Sequence, residues 1–71
     1  MKAKAEVRLT EREADVLRLL ARGYTYARAG ARLGISPHTV ASHIKKAYRK
    51  LGVNSASAAV MRAVQLGFIQ P

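Results

Sequence analysis

Residues Ala27 to Val53 read ARAGARLGISPHTVASHIKKAYRKLGV, and this stretch decides the fold. It divides into two helices with almost nothing between them. The first is expected to open at Tyr26 behind Thr25 as N-cap, and to stop at Gly34, a residue free to take left-handed backbone. Ser36 then caps a second helix whose first position is Pro37, where a missing N–H costs nothing. Only Gly34 and Ile35 separate Leu33 from the Ser36 cap, so the two helices must cross steeply rather than run antiparallel. Close backbone approach needs small residues, and Ala27, Ala29, Gly30 and Ala31 are placed to supply them. A glycine inside a helix costs roughly 1 kcal/mol relative to alanine, so Gly30 points to close packing rather than to propensity.

The second helix, about 37–51, sorts into two sides. Val40, Ile44, Ala47 and Leu51 recur at helical spacing and draw one apolar stripe. Opposite them fall His38, Ser42, Lys45 and Arg49, with Ala41 and Lys46 flanking. A cationic, hydrogen-bonding side opposite a core-facing stripe suits a helix lying in the major groove of DNA. Lysine and arginine can meet phosphates or the acceptors of guanine, and Ser42 can serve either purpose. An ordinary solvated basic face has the same charge pattern; the turn that precedes it favours DNA.

Composition sets the bounds. Seventy-one residues make one small domain with a limited core, and 49% hydrophobic residues suffice for folding rather than disorder. There is no cysteine, hence no disulfide framework and no thiolate metal site, as fits a reducing interior. No apolar run is long enough to span a membrane, and the N-terminus MKAKAEV lacks a signal-peptide apolar region, so a cytoplasmic protein is expected. Thirteen Lys and Arg face four acids, for a formal net charge of +9. All four acids, Glu6, Glu11, Glu13 and Asp15, precede Val16; from there to Pro71 no carboxylate side chain occurs. Such a field attracts polyanions and makes their binding strongly salt-dependent. A membrane-surface helix would need bulky apolar residues facing outward, and these helices need theirs for a core.

The flanking segments complete an all-α domain. Thr10 and Glu13 form a capping box ahead of the first helix, with Leu9 as a staple against Ala14. The early acids sit near the positive end of that helix's dipole and Arg18 and Arg22 near its negative end, so the acids read as helix stabilisers. Val16, Leu17, Leu20 and Ala21 are expected to be its buried side, with Gly23 ending it. Gly52 stops the third helix. Ser55 caps a fourth, whose apolar face is Ala59, Val60, Ala63 and Val64, and Gly67 ends it before a Phe68–Ile69 plug. The expected organisation is a basic arm over 1–8 and a four-helix helix-turn-helix domain over 9–71.

Single residues add little chemistry. His43 flanks the apolar stripe and reads as a packed, hydrogen-bonded histidine, whereas His38 is placed to touch DNA. The two histidines lack the further ligands a metal site requires, so no metal and no cofactor are expected. Tyr24, Tyr26 and Tyr48 read as packing residues, Tyr26 above all given the small residues beside it, rather than as stacking platforms for single strands. No carboxylate pair, nucleophile–base set or metal cluster appears, and an enzyme is not expected.

Taken together, several motifs resemble the LuxR/FixJ-type (GerE-type) helix-turn-helix domain. They are L-T-E-R-E-x-x-V-L at 9–17, G-I-S-P-x-T-V at 34–40, His43, R-K-L-G-V at 49–53, Ser55 and L-G-F-I at 66–69. The resemblance covers about residues 9–69 and implies a DNA-binding transcriptional regulator, or the effector domain of one. It implies a third helix that reads the major groove and a fourth that mediates dimerisation. It places DNA-facing positions at Ala41, Ser42 and Lys45, with Thr39, Lys46 and Arg49 near phosphates. The chain departs from the family pattern in three places. Ala41 stands where lysine is usual, Arg28-Ala29-Gly30 where Glu-Ile-Ala is usual, and Ala56 and Ala58 where an arginine and a glutamate are usual.

The expected function is therefore sequence-specific binding of double-stranded DNA to regulate transcription. Two rivals share the charge pattern: a module similar to region 4 of sigma factors, which would also contact RNA polymerase, and a protein-interaction domain with an acidic partner. The capped fourth helix and the L-G-F-I ending favour the LuxR-type reading. A homodimer through Ala59, Val60, Ala63 and Val64 competes with use of the same face by the monomer core.

Overall fold

The computed structural model describes residues 7–70. Four helices follow in order: α1 Glu11–Ala21, α2 Tyr26–Leu33, α3 Pro37–Leu51 and α4 Ala56–Gln65. No strand occurs among the described residues. Most of the expected basic arm lies outside them; of its last two residues, Val7 packs against the core.

Each helix begins where a short polar side chain answers the free backbone amides of its first turn. Thr10, Thr25, Ser36 and Ser55 are the four N-caps, all extended in backbone, each accepting from the amide three residues on. At α1 the box is reciprocal: the Glu13 amide donates to Thr10 Oγ1 at 3.1 Å and the Thr10 amide donates to Glu13 Oε1 at 2.9 Å. Gly34 (φ 75°) and Gly52 (φ 72°) stop α2 and α3 in left-handed backbone.

The tight turn is set by Gly30. A methyl group there would lie 2.5 Å from the Ile35 carbonyl oxygen and 3.3 Å from the Pro37 nitrogen. The Gly30 carbonyl also accepts from the amides of both Gly34 and Ile35. The backbone of the turn therefore folds directly onto α2. Ala29 is buried beside it, but Ala27 and Ala31 are exposed, contrary to expectation. An eight-residue helix turns one narrow side to its neighbours, and positions 27 and 31 fall off that side.

The core gathers Ala14, Val16, Leu17 and Leu19 of α1, Ala29, the α3 stripe Val40–Ile44–Ala47–Leu51, Ala59 and Ala63 of α4, and Ile69. The expected buried side of α1 needs correction: Leu20 is half-buried, Ala21 is exposed, and Leu19 and Glu13 are buried instead. α1 touches α2, α3 and α4, so its covered surface is a broad arc rather than one stripe. The apolar face of α4, read as either a dimer contact or part of the core, divides between its four residues. Ala59 and Ala63 are fully buried within the chain's own core, while Val60 and Val64 remain partly exposed. Phe68 and Ile69 close the end of the bundle as expected, held by the Phe68 amide on the Ala63 carbonyl at 2.9 Å.

Candidate nucleic-acid interface

α3 is the longest helix, and its two ends are fixed independently. At its start the Ser36 hydroxyl accepts from the Thr39 amide at 3.0 Å and pairs with the Thr39 hydroxyl, also at 3.0 Å. Pro37 fills the first position, and no acid stands in the first turn to offset the helix dipole. At its far end the Lys50 ammonium donates to Glu13 Oε1 at 2.8 Å, tying the last turn of α3 to the first turn of α1.

Between those anchors the helix divides as its sequence pattern predicts. Val40, Ile44, Ala47 and Leu51 are buried. His38, Ser42, Lys45, Lys46 and Arg49 are exposed, and Thr39 and Ala41 are half-buried beside them. Lys45, Lys46 and Arg49 enter no hydrogen bond or ion pair among the described residues, so no described carboxylate neutralises their charges. On α1, Asp15 holds Arg18 at 2.9 Å and Arg12 at 3.8 Å, and Glu13 holds Lys50. The surface formed is a row of free cations and small hydrogen-bonding groups on a rigid helix. Such a surface can meet phosphate oxygens and base-edge acceptors along a groove.

Glu13 has a larger role than capping. It is 2% exposed, the one buried charged residue among those described. Burial pushes its carboxyl upward, but hydrogen bonds from Lys50 and from the Thr10 amide, with the Lys50 charge, outweigh this and hold it below the ordinary value of 4.5. A signal for its burial was available in the sequence, because Glu13 shares the helical spacing of Leu17 and Leu20 and so lies on the inward side of α1.

The aromatic residues depart partly from expectation. Tyr24 and Tyr48 pack against the core, whereas Tyr26 is 40% exposed. Burial, with the Tyr26 phenol beside it, pushes the Tyr48 hydroxyl above its ordinary value. The Arg28 and Arg32 guanidinium groups lie over the Tyr24 ring, 5.6 and 6.0 Å from its centre. His43 is half-buried but makes no hydrogen bond among the described residues, so its ring nitrogens reach solvent and the expected pairing is absent. Among the described residues no three His, Cys, Asp or Glu gather as a metal site would require, and no helix is long and apolar enough to cross a membrane.

Known proteins share this architecture. Residues 7–63 match the family described as "Bacterial regulatory proteins, luxR family". The chain is 40% identical over 68 residues to the transcriptional regulatory protein YdfI of Bacillus subtilis, covering 96% of this chain and 32% of that protein. Among solved structures, the transcription factor GerE superposes with a TM-score of 0.81 at 38% identity, over 84% of this chain and 90% of GerE. The response regulator ChrA of a heme-sensing two-component system superposes with a TM-score of 0.85 at 36% identity, over 93% of this chain and 33% of ChrA. The chain thus spans about a third or less of the curated relatives it matches, and nearly all of GerE. With four capped helices, a glycine-tight turn and a third helix offering its unpaired cations to solvent, the chain belongs to the luxR family of bacterial regulatory proteins.

Proposed function

We propose that this domain binds double-stranded DNA by seating α3 in the major groove, as a cytoplasmic regulator of transcription with no catalytic role. One observation carries the reading: Lys45, Lys46 and Arg49 leave α3 on the side opposite its buried stripe and meet no carboxylate among the described residues. The field of a +9 chain brings it to the duplex. Lys45 and Ser42 then reach base edges, with Ala41 offering a methyl surface to thymine and His38 near the strand at the helix start. Thr39, Lys46 and Arg49 hold phosphates and fix the register.

A second copy is expected to dock on α4. Ala59 and Ala63 are consumed by the core, so the contact falls to Val60 and Val64 with Met61, which line one depression and of which Met61 is 63% exposed. Two copies so joined would present two α3 helices to paired half-sites. The deciding experiment is selection of bound duplexes from a random pool at two salt concentrations. A recovered consensus whose affinity falls steeply with salt supports the reading; binding without sequence preference at either concentration overturns it.

A further inference from the structure

α3 does not hold all of the free positive charge. Arg22, Arg28 and Arg32, at the end of α1 and along α2, also meet no carboxylate among the described residues. Arg18 of α1, Arg22 at its C-cap and Arg32 of α2 rim a cleft of about 220 Å³ whose walls include Leu19 and Leu33, with Asp15 at one end. Asp15 is already engaged by Arg18 at 2.9 Å and Arg12 at 3.8 Å. Arg32 is held in place: its guanidinium lies over the Tyr24 ring, and its Nη1 donates to the Tyr24 hydroxyl at 3.4 Å. Arg28 lies over the same ring.

We propose that this α1–α2 cleft is a docking site for an acidic protein segment carrying an apolar anchor, separate from the DNA-facing side of α3. Three features fit that partner. The cations of the rim are all arginine, with Asp15 at one end already engaged, and a guanidinium fork pairs a carboxylate through two parallel hydrogen bonds. The walls are leucine, which a phosphate backbone cannot fill and an aliphatic side chain can. The stacking of Arg32 on Tyr24 orders that guanidinium before binding, which lowers the entropy lost on association.

The test uses two variants of equal net charge: Arg22→Gln with Arg32→Gln in the cleft, and Lys45→Gln with Lys46→Gln on α3. The probes are a short fluorescent peptide alternating glutamate and leucine, the same peptide with serine for leucine, and a random-sequence DNA duplex. The cleft variant should bind the glutamate–leucine peptide about tenfold more weakly, while keeping more of its DNA affinity than the α3 variant does. The serine peptide should bind the unmutated domain more weakly than the leucine peptide. Equal loss of peptide binding in both variants would mean a general field effect and overturn the site. A cleft variant that loses as much DNA affinity as the α3 variant would make the cleft a backbone contact, and equal affinity for both peptides would remove the apolar anchor; either overturns the proposal. The proposal stands apart from the reading of α3, because DNA affinity is measured in parallel.

Discussion

The Lys50 ammonium lies 2.8 Å from the Glu13 oxygen that also accepts the Thr10 amide at 2.9 Å, so one carboxylate oxygen joins the cap of α1 to the last turn of α3. The acid is buried and the lysine 36% exposed, so only half of the pair has left water. Pairs of that kind lie between an exposed ion pair, worth little, and a fully buried one. Their value here is directional: the contact fixes the far end of the helix whose near end is fixed by Ser36.

Glu13→Gln is expected to cost about 1–2 kcal/mol of stability at neutral pH, because the amide keeps the Thr10 bond but leaves Lys50 without its charge partner. The Glu13 carboxyl is held below its ordinary value of 4.5 when folded. Its stabilisation is therefore complete above the unfolded value and is lost as pH falls through the folded one. Urea denaturation of both proteins at neutral pH and again below 4.5 checks this: the difference between them should shrink in acid.

Gly30→Ala tests the turn. Helix propensity alone predicts a gain of roughly 1 kcal/mol. The new methyl group, however, would meet the Ile35 carbonyl oxygen at 2.5 Å and the Pro37 nitrogen at 3.3 Å, and both are backbone atoms. The turn must move, at a cost of about 1–3 kcal/mol. A lowered denaturation midpoint is the expected outcome, and a raised one would mean that the turn yields freely.

Much of this could be read in the sequence because the signals are local. Caps, left-handed glycines and the α3 stripe depend on residues within one or two turns, and Thr25, Gly34, Ser36, Pro37 and Ser55 all occupy the places their chemistry assigns. The misreadings concern relations between elements. That Leu19 is buried and Ala21 is not follows from α1 being covered by three helices, which its own periodicity does not state. Lys50 reads in the sequence as one more surface cation, and its bond to Glu13 spans 37 positions. Ala59 and Ala63 form an apolar face by pattern, but only packing tells whether a core or a partner uses it.

Within the proposed interface, substitutions should separate by role. Lys45→Ala is expected to cost about 1–3 kcal/mol on a selected duplex and to relax discrimination against random DNA. Lys46→Ala and Arg49→Ala should weaken both duplexes alike and each reduce the salt slope by about 1. Fluorescence anisotropy across a salt series measures both quantities. Unchanged discrimination in Lys45→Ala would remove that residue from base readout.

Met61 offers the cleanest test of α4. It is 63% exposed and lines the same depression as Val60 and Val64, which remain partly open after Ala59 and Ala63 enter the core. A charge there faces water in the monomer, so Met61→Glu should change stability by no more than about 0.5 kcal/mol. Between two copies the same carboxylate would be buried against Val60 and Val64 without a partner, a cost that abolishes association. Sedimentation on a duplex with two half-sites should therefore show two copies of the unmutated domain bound together, and independent, weaker filling by the variant. Independent filling by the unmutated domain would assign the exposed face of α4 no part in pairing.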